Sequence, residues 1–177
     1  QRYAGPDGET AYEIYRLAPG QTPPLTPQYS ANAVFGNQIE LFGYDLPPTT
    51  AGEPLIATLY WRVLAPPNAD DYLLFAHLED AWGLRWGSTD PFDYPSSEWA
   101  PGQVIVQQRE IEVSALTPPG EYAVWAGFAS RGMDARLPRL DEQGRVAGTT
   151  VELGPARIAL AAEPPAEMPE IQVPLRA

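Results

Sequence analysis

Apolar and polar residues alternate with a period of two through much of this chain, and Pro, Gly and Asp break the alternation about every 10–15 residues. Residues 55–64 show it most cleanly. Leu55, Ala57, Leu59, Trp61 and Val63 share one parity, and Thr58, Tyr60 and Arg62 the other. A strand sends successive side chains to opposite faces, so the first set is the core face. Residues 33–46, AVFGNQIELFGYDL, read as one strand with Ile39, Leu41 and Gly43 on one face. Pro47–Pro48 ends it, because proline cannot donate to a ladder. Residues 72–79 are apolar in both phases, as expected of a strand covered on much of both faces or facing a neighbouring unit. In 104–113, Val104 and Val106 share one parity and Ile111 and Val113 the other, so a bulge at Gln107–Arg109 is expected. Residues 121–130 and 150–160 supply two further strands. The pattern predicts an all-β fold, an antiparallel Greek-key or jelly-roll-like sandwich of about seven to nine strands. Leu59, Trp61, Phe75, Val124 and Phe128 are its expected core. The segment LTPPGEY at 116–122 matches a tyrosine corner, in which a Tyr after a turn returns its hydroxyl to upstream backbone.

The organisation divides in three. Residues 1–28 hold a strand at 11–17 and a Pro-rich stretch at 18–28 that reads as a stiff linker. Residues 29–160 form the sandwich, and 161–177 an extended C-terminal tail. No internal repeat is visible. The chain begins at Gln1 without Met, and the expectation is a piece of a longer protein.

Composition narrows the functional classes. The 177 residues carry 21 Pro and 15 Gly, which favours turns over long helices. No apolar run is long enough to span a bilayer, so insertion of this fragment into a membrane is not expected. The net charge is −12, and all 11 basic residues are Arg. Such a surface repels phosphate backbones, so nucleic acid is a disfavoured partner. With no Cys and a single His, His77, neither disulfides nor a multi-His metal site can form within the chain. Any Ser-His-Asp site would have to use His77, and no G-x-S-x-G motif accompanies it. A structural His is the expected role. No metal and no cofactor is expected.

One segment concentrates candidate chemistry. Residues 80–99, read as a loop, hold Trp82, Arg85, Trp86, Asp90, Asp93, Tyr94 and Trp99. Aromatic faces stack on the C–H faces of sugar rings, and Arg and Asp supply the polar contacts around them. These seven residues are therefore the candidate ligand-binding set, with no catalytic residue assigned. The bland alternative makes the aromatics a cap folded onto the sandwich. Paired carboxylates here could also hydrolyse a glycosidic bond or hold Ca²⁺, but Asp-rich turns are common and turn capping is the default.

Six segments carry a resemblance: FGNQIELFGYDL at 35–46, LIATLYWRV at 55–63, DYLLFAHLED at 71–80, DPFDYPSSEWAPGQ at 90–103, LTPPGEYAVWAGF at 116–128 and RLPRLDEQG at 136–144. Together they resemble bacterial β-sandwich domains of Chloroflexi type, often fused behind multi-spanning membrane glycosyltransferases related to the protein mannosyltransferases. A looser likeness, resting on the L-x-P-x-G-x-Y turn, is to the carbohydrate-binding C-terminal domain of O-antigen transporters. The resemblance implies a non-catalytic accessory module on the extracytoplasmic side of a bacterial membrane, binding glycan or packing on its own membrane domain. The alternatives are a purely structural or protein-interaction domain and, more weakly, a carbohydrate-active enzyme.

Overall fold

The computed structural model describes residues 25–66, 72–89, 95–132 and 135–161, together with the backbone of Arg2–Ala4 and Thr10–Glu13. Among the described residues there is no α-helix, and no helix long and apolar enough to cross a membrane. Strands β1 (Arg2–Ala4) and β2 (Thr10–Glu13) pair antiparallel with each other. Then come β3 (Tyr29–Phe35), β4 (Ile39–Asp45), β5 (Thr49–Thr50), β6 (Leu55–Val63) and β7 (Tyr72–Glu79). Next are β8 (Arg85–Ser88), a 3₁₀ turn at Ser96–Glu98, β9 (Val104–Ile111) and β10 (Gly120–Ser130). Strands β11 (Arg139–Leu140), β12 (Val146–Gly148) and β13 (Val151–Ala159) complete the order.

Two sheets pack face to face, as the alternation predicts. One has the order β12-β11-β3-β4-β6-β9, the other β5-β13-β10-β7-β8. All pairings are antiparallel except the short β5–β13 contact, which is parallel and makes the second sheet mixed. The core lies between the sheets. Leu55, Ala57, Leu59, Trp61 and Val63 are all buried, on the face the sequence assigns. Trp61 meets Phe128 at 4.9 Å and Phe35 at 6.1 Å, so aromatic edges from both sheets interlock at its centre.

Four expectations are corrected. Residues 33–46 are two strands, β3 and β4, joined by a tight turn with φ of 57° at both Gly36 and Asn37. Two left-handed residues turn the chain, the Gln38 N–H closes the turn on the Phe35 carbonyl at 2.9 Å, and Phe35 pairs with Ile39 across a three-residue connection. Leu137 Cδ1 would lie 2.6 Å from any Cβ at Gly36, so a side chain there is excluded twice over. Second, β9 has no bulge. It runs in continuous register against β6 from Leu55↔Ile111 to Arg62↔Val104. The inward phase is Ile105, Arg109, Ile111 and Val113, while Val104 and Val106 face outward and are exposed. The apparent phase change arises because two valines, Val104 and Val106, lie on the exposed face while Gln107 and Arg109 take inward positions. Burial holds the Arg109 guanidinium below its ordinary value, at about 10.

Third, Phe75 is buried, as expected, but on an outer face and not in the inter-sheet core. It sits on the outer face of β7, covered by the Arg136 guanidinium 4.2 Å above its ring and flanked by His77 at 5.1 Å. This accounts for the apolar residues in both phases of β7. Fourth, residues 80–99 are not one loop, since β8 and the 3₁₀ turn lie within them. The sandwich also begins slightly early. Pro27 packs over Gly43, and the Gln28 N–H donates to Asp45. The strand expected at 11–17 is represented by β2, while the rest of it, most of the linker and the tail beyond 161 lie outside the described residues.

Candidate functional site

The β7–β8 hairpin is built around Asp80. Its Oδ1 accepts hydrogen bonds from the Trp82 and Leu84 backbone N–H groups, both at 2.9 Å. Its Oδ2 accepts the Trp86 indole N–H at 3.0 Å. An Asp side chain that satisfies backbone two residues on is a turn former in its own right. Gly83, at φ +77°, supplies the left-handed residue the loop needs. The same contacts, led by the Trp86 N–H, hold the Asp80 carboxyl below its ordinary value.

The hairpin is anchored at its base. Trp86 is half-buried, edge-on to Tyr122 with centroids 6.4 Å apart. The Tyr122 hydroxyl donates to the Pro118 carbonyl at 2.6 Å, completing the tyrosine corner that the sequence predicts. On the other flank, Gly87 lies against the Glu112 carbonyl of the opposite sheet so closely that no Cβ could stand between them. A chain of contacts thus runs from the core through Tyr122 and Trp86 to Asp80, and from Asp80 to the backbone of Trp82.

The tip itself is open. Trp82 is 91% exposed and Leu84 57%. Arg85, beside them, is exposed and makes a long 3.4 Å ion pair with Glu79. An indole this exposed on an ordered turn is an unusual arrangement, because it leaves a large apolar area uncovered. Covering one indole face removes about 100 Å² of apolar surface from water, on the order of 2 kcal/mol.

The seven sequence-predicted residues do not come together as one set. Trp82, Arg85 and Trp86 lie on the hairpin. Trp99 lies at the opposite end of the sandwich, near the start of β7, where the Tyr72 N–H donates to Ser96 Oγ at 2.9 Å. It is buried, packed edge-on to Phe128 at 5.8 Å. Asp90, Asp93 and Tyr94 lie outside the described residues. Trp86 faces inward as structure, so Trp82 is the only one of the three described tryptophans of this set that can meet a ligand face-on. Turn capping, the default role for the acidic residues of this segment, holds for Asp80, while sequence reasoning missed Leu84. The signal was present in Asp80-Ala-Trp-Gly83, a turn sequence between two apolar runs.

His77 stands on the outer face of β7, opposite Ser88 on β8 and Trp125 on β10. Burial holds its pKa below the ordinary value of 6.5, with Arg85 and Arg136 acting in the same direction and Glu79 against them. It is therefore neutral at pH 7. Among the described residues no hydrogen bond joins it to Ser88, and no cluster of His, Asp or Glu is placed to hold a metal ion.

No family model matches this chain. No curated protein matches it significantly either.

Proposed function

We propose that this sandwich is a non-catalytic binding module that recognises glycan through the tip of the β7–β8 hairpin. In this reading it is an extracytoplasmic accessory domain of a membrane-associated, glycosyltransferase-like protein. The observation that carries the binding role is Trp82, 91% exposed on a turn tied to the core through Asp80 and Trp86. An aromatic side chain on a turn already held in place offers stacking area without the cost of ordering a loop. Arg85 adds hydrogen-bond donors beside it, and Leu84 a second apolar surface. The membrane setting is supported by the sequence resemblance alone.

Trp82→Ala on a glycan array is the direct test. The intact domain should bind at least one glycan class at millimolar affinity, about −4 kcal/mol, and the variant none. Equal binding by both, or none by either, removes the glycan reading. A structural or protein-interaction module then takes its place, consistent with the packing of Trp86 and Trp99.

A further inference from the structure

The outer face of β7 carries side chains that the inter-sheet core does not use. Phe75, His77 and Glu79 stand along it, and Gly127, Trp125 and Ala123 lie opposite them on β10. His77 and Trp125, directly across from each other, are both half-buried. The chain after β10 bridges back at Ala129↔Arg136. From there the exposed Arg136 reaches over the Phe75 ring, 4.2 Å from its centroid. Gly127 leaves that ring its space, since a Cβ there would stand 2.7 Å from it. Phe75 in turn lies 5.1 Å from His77. At the hairpin end of the same face, Arg85 makes its long pair with Glu79. Phe75 and Glu79 are four residues apart, about 14 Å along a strand. Two guanidinium groups therefore bracket His77, and both act on its pKa.

Charge sets this face apart. The chain as a whole carries −12. Here Arg85 and Arg136 stand against Glu79 and against Glu152 of β13, which pairs with Trp125, so the face is locally neutral. Arg136 forms no ion pair among the described residues. A guanidinium resting on a ring by its flat face keeps its edge donors for a planar anion.

An indole, a donor fork and a neutral imidazole that both donates and accepts match the chemistry of an acidic sugar: its C–H face, its carboxylate and its hydroxyls. Resting on the glycan reading above, we propose that the glycan this module recognises is acidic, with a uronate-type sugar on the outer face of β7, its ring on Trp125 and its carboxylate on Arg136. Arg85 belongs to both places, beside Trp82 at the tip and beside Glu79 on this face.

The chain's single histidine is an unambiguous NMR probe of this face. The test titrates isotope-labelled protein with trigalacturonate and with its methyl ester, which keeps the rings and removes the charge. His77 is followed between about pH 5 and 8. Trigalacturonate should bind with a Kd on the order of 1–10 mM and shift the Trp125 indole. It should also raise the His77 midpoint, because a carboxylate on Arg136 cancels the push of that cation. The ester should bind about tenfold more weakly and leave the midpoint in place. Arg136→Gln should erase the difference between the two, Arg136→Lys should restore part of it, and Trp125→Ala should weaken both. Thermal melting of each variant separates lost binding from lost folding. Equal binding of acid and ester overturns the proposal, as does a His77 midpoint unmoved at saturation. If that equal binding moves only the Trp82 indole, the hairpin reading survives alone. Binding of neither oligomer also overturns the proposal, and the glycan array with Trp82→Ala then tells whether the hairpin reading falls with it.

Discussion

Trp61 makes the energetic weight of single residues concrete. It is fully buried and touches Phe35 and Phe128, one from each sheet. Trp61→Ala should cost about 3–5 kcal/mol in denaturant unfolding, as large aromatic truncations in packed cores do. A loss under about 0.5 kcal/mol would place the indole at a surface. His77 gives a pH signature instead. Its folded pKa lies below its free value of 6.5. Between the two values the unfolded chain binds a proton that the folded chain does not, so stability falls as pH drops through about 6.5. His77→Gln should flatten that part of the curve, read as unfolding midpoints at about pH 7.5 and 5.5. Both roles were partly legible. Alternation alone places Trp61 in the core. The same parity argument puts Phe75 and His77 on one face, but parity cannot say whether that face is inside or is covered by Arg136 from outside.

At the level of elements, strand existence was far easier to read than strand ends. The β6 pattern carries long uninterrupted alternation and β10 a long apolar run, and both strands stand where expected. The β3–β4 hairpin was missed because FGNQ sits between apolar runs whose parities join smoothly across the turn. The two left-handed residues, invisible to a hydrophobic pattern, decide it. Asn37→Gly should therefore be neutral or slightly stabilising. Asn37→Ala should cost about 1 kcal/mol for the left-handed backbone. Gly36→Ala should cost more, since it also meets Leu137. Thermal melts of the three variants, in that order of midpoint, check the turn type. The 80–99 segment failed as a single site for a related reason. Residue spacing in sequence was read as proximity, yet β8 carries the chain away from Trp82 and toward Trp99 at the other end.

The whole molecule has two ends of different character. Strand β3 starts beside Tyr44 near the end of β4, and β4 there meets the early part of β6 at Thr58. The end of β13 lies beside Ala51, whose N–H donates to the Ala159 carbonyl, and β13 meets the start of β10 at Gly120. The start of β10 in turn meets Glu79, the last residue before the hairpin. The sandwich is thus entered at Tyr29 and left at Ala159 on the same end that carries Trp82. The Gly36–Asn37 turn lies at the other pole, a β7 length away, about 25 Å for eight residues. The first and last strands of the sandwich thus open at one pole. A bulky fluorescent protein fused after Ala161 should therefore shade the Trp82 indole from soluble quenchers and leave the opposite pole untouched. Attachment after Ala161 and exposure of that indole are coupled by the strand order itself.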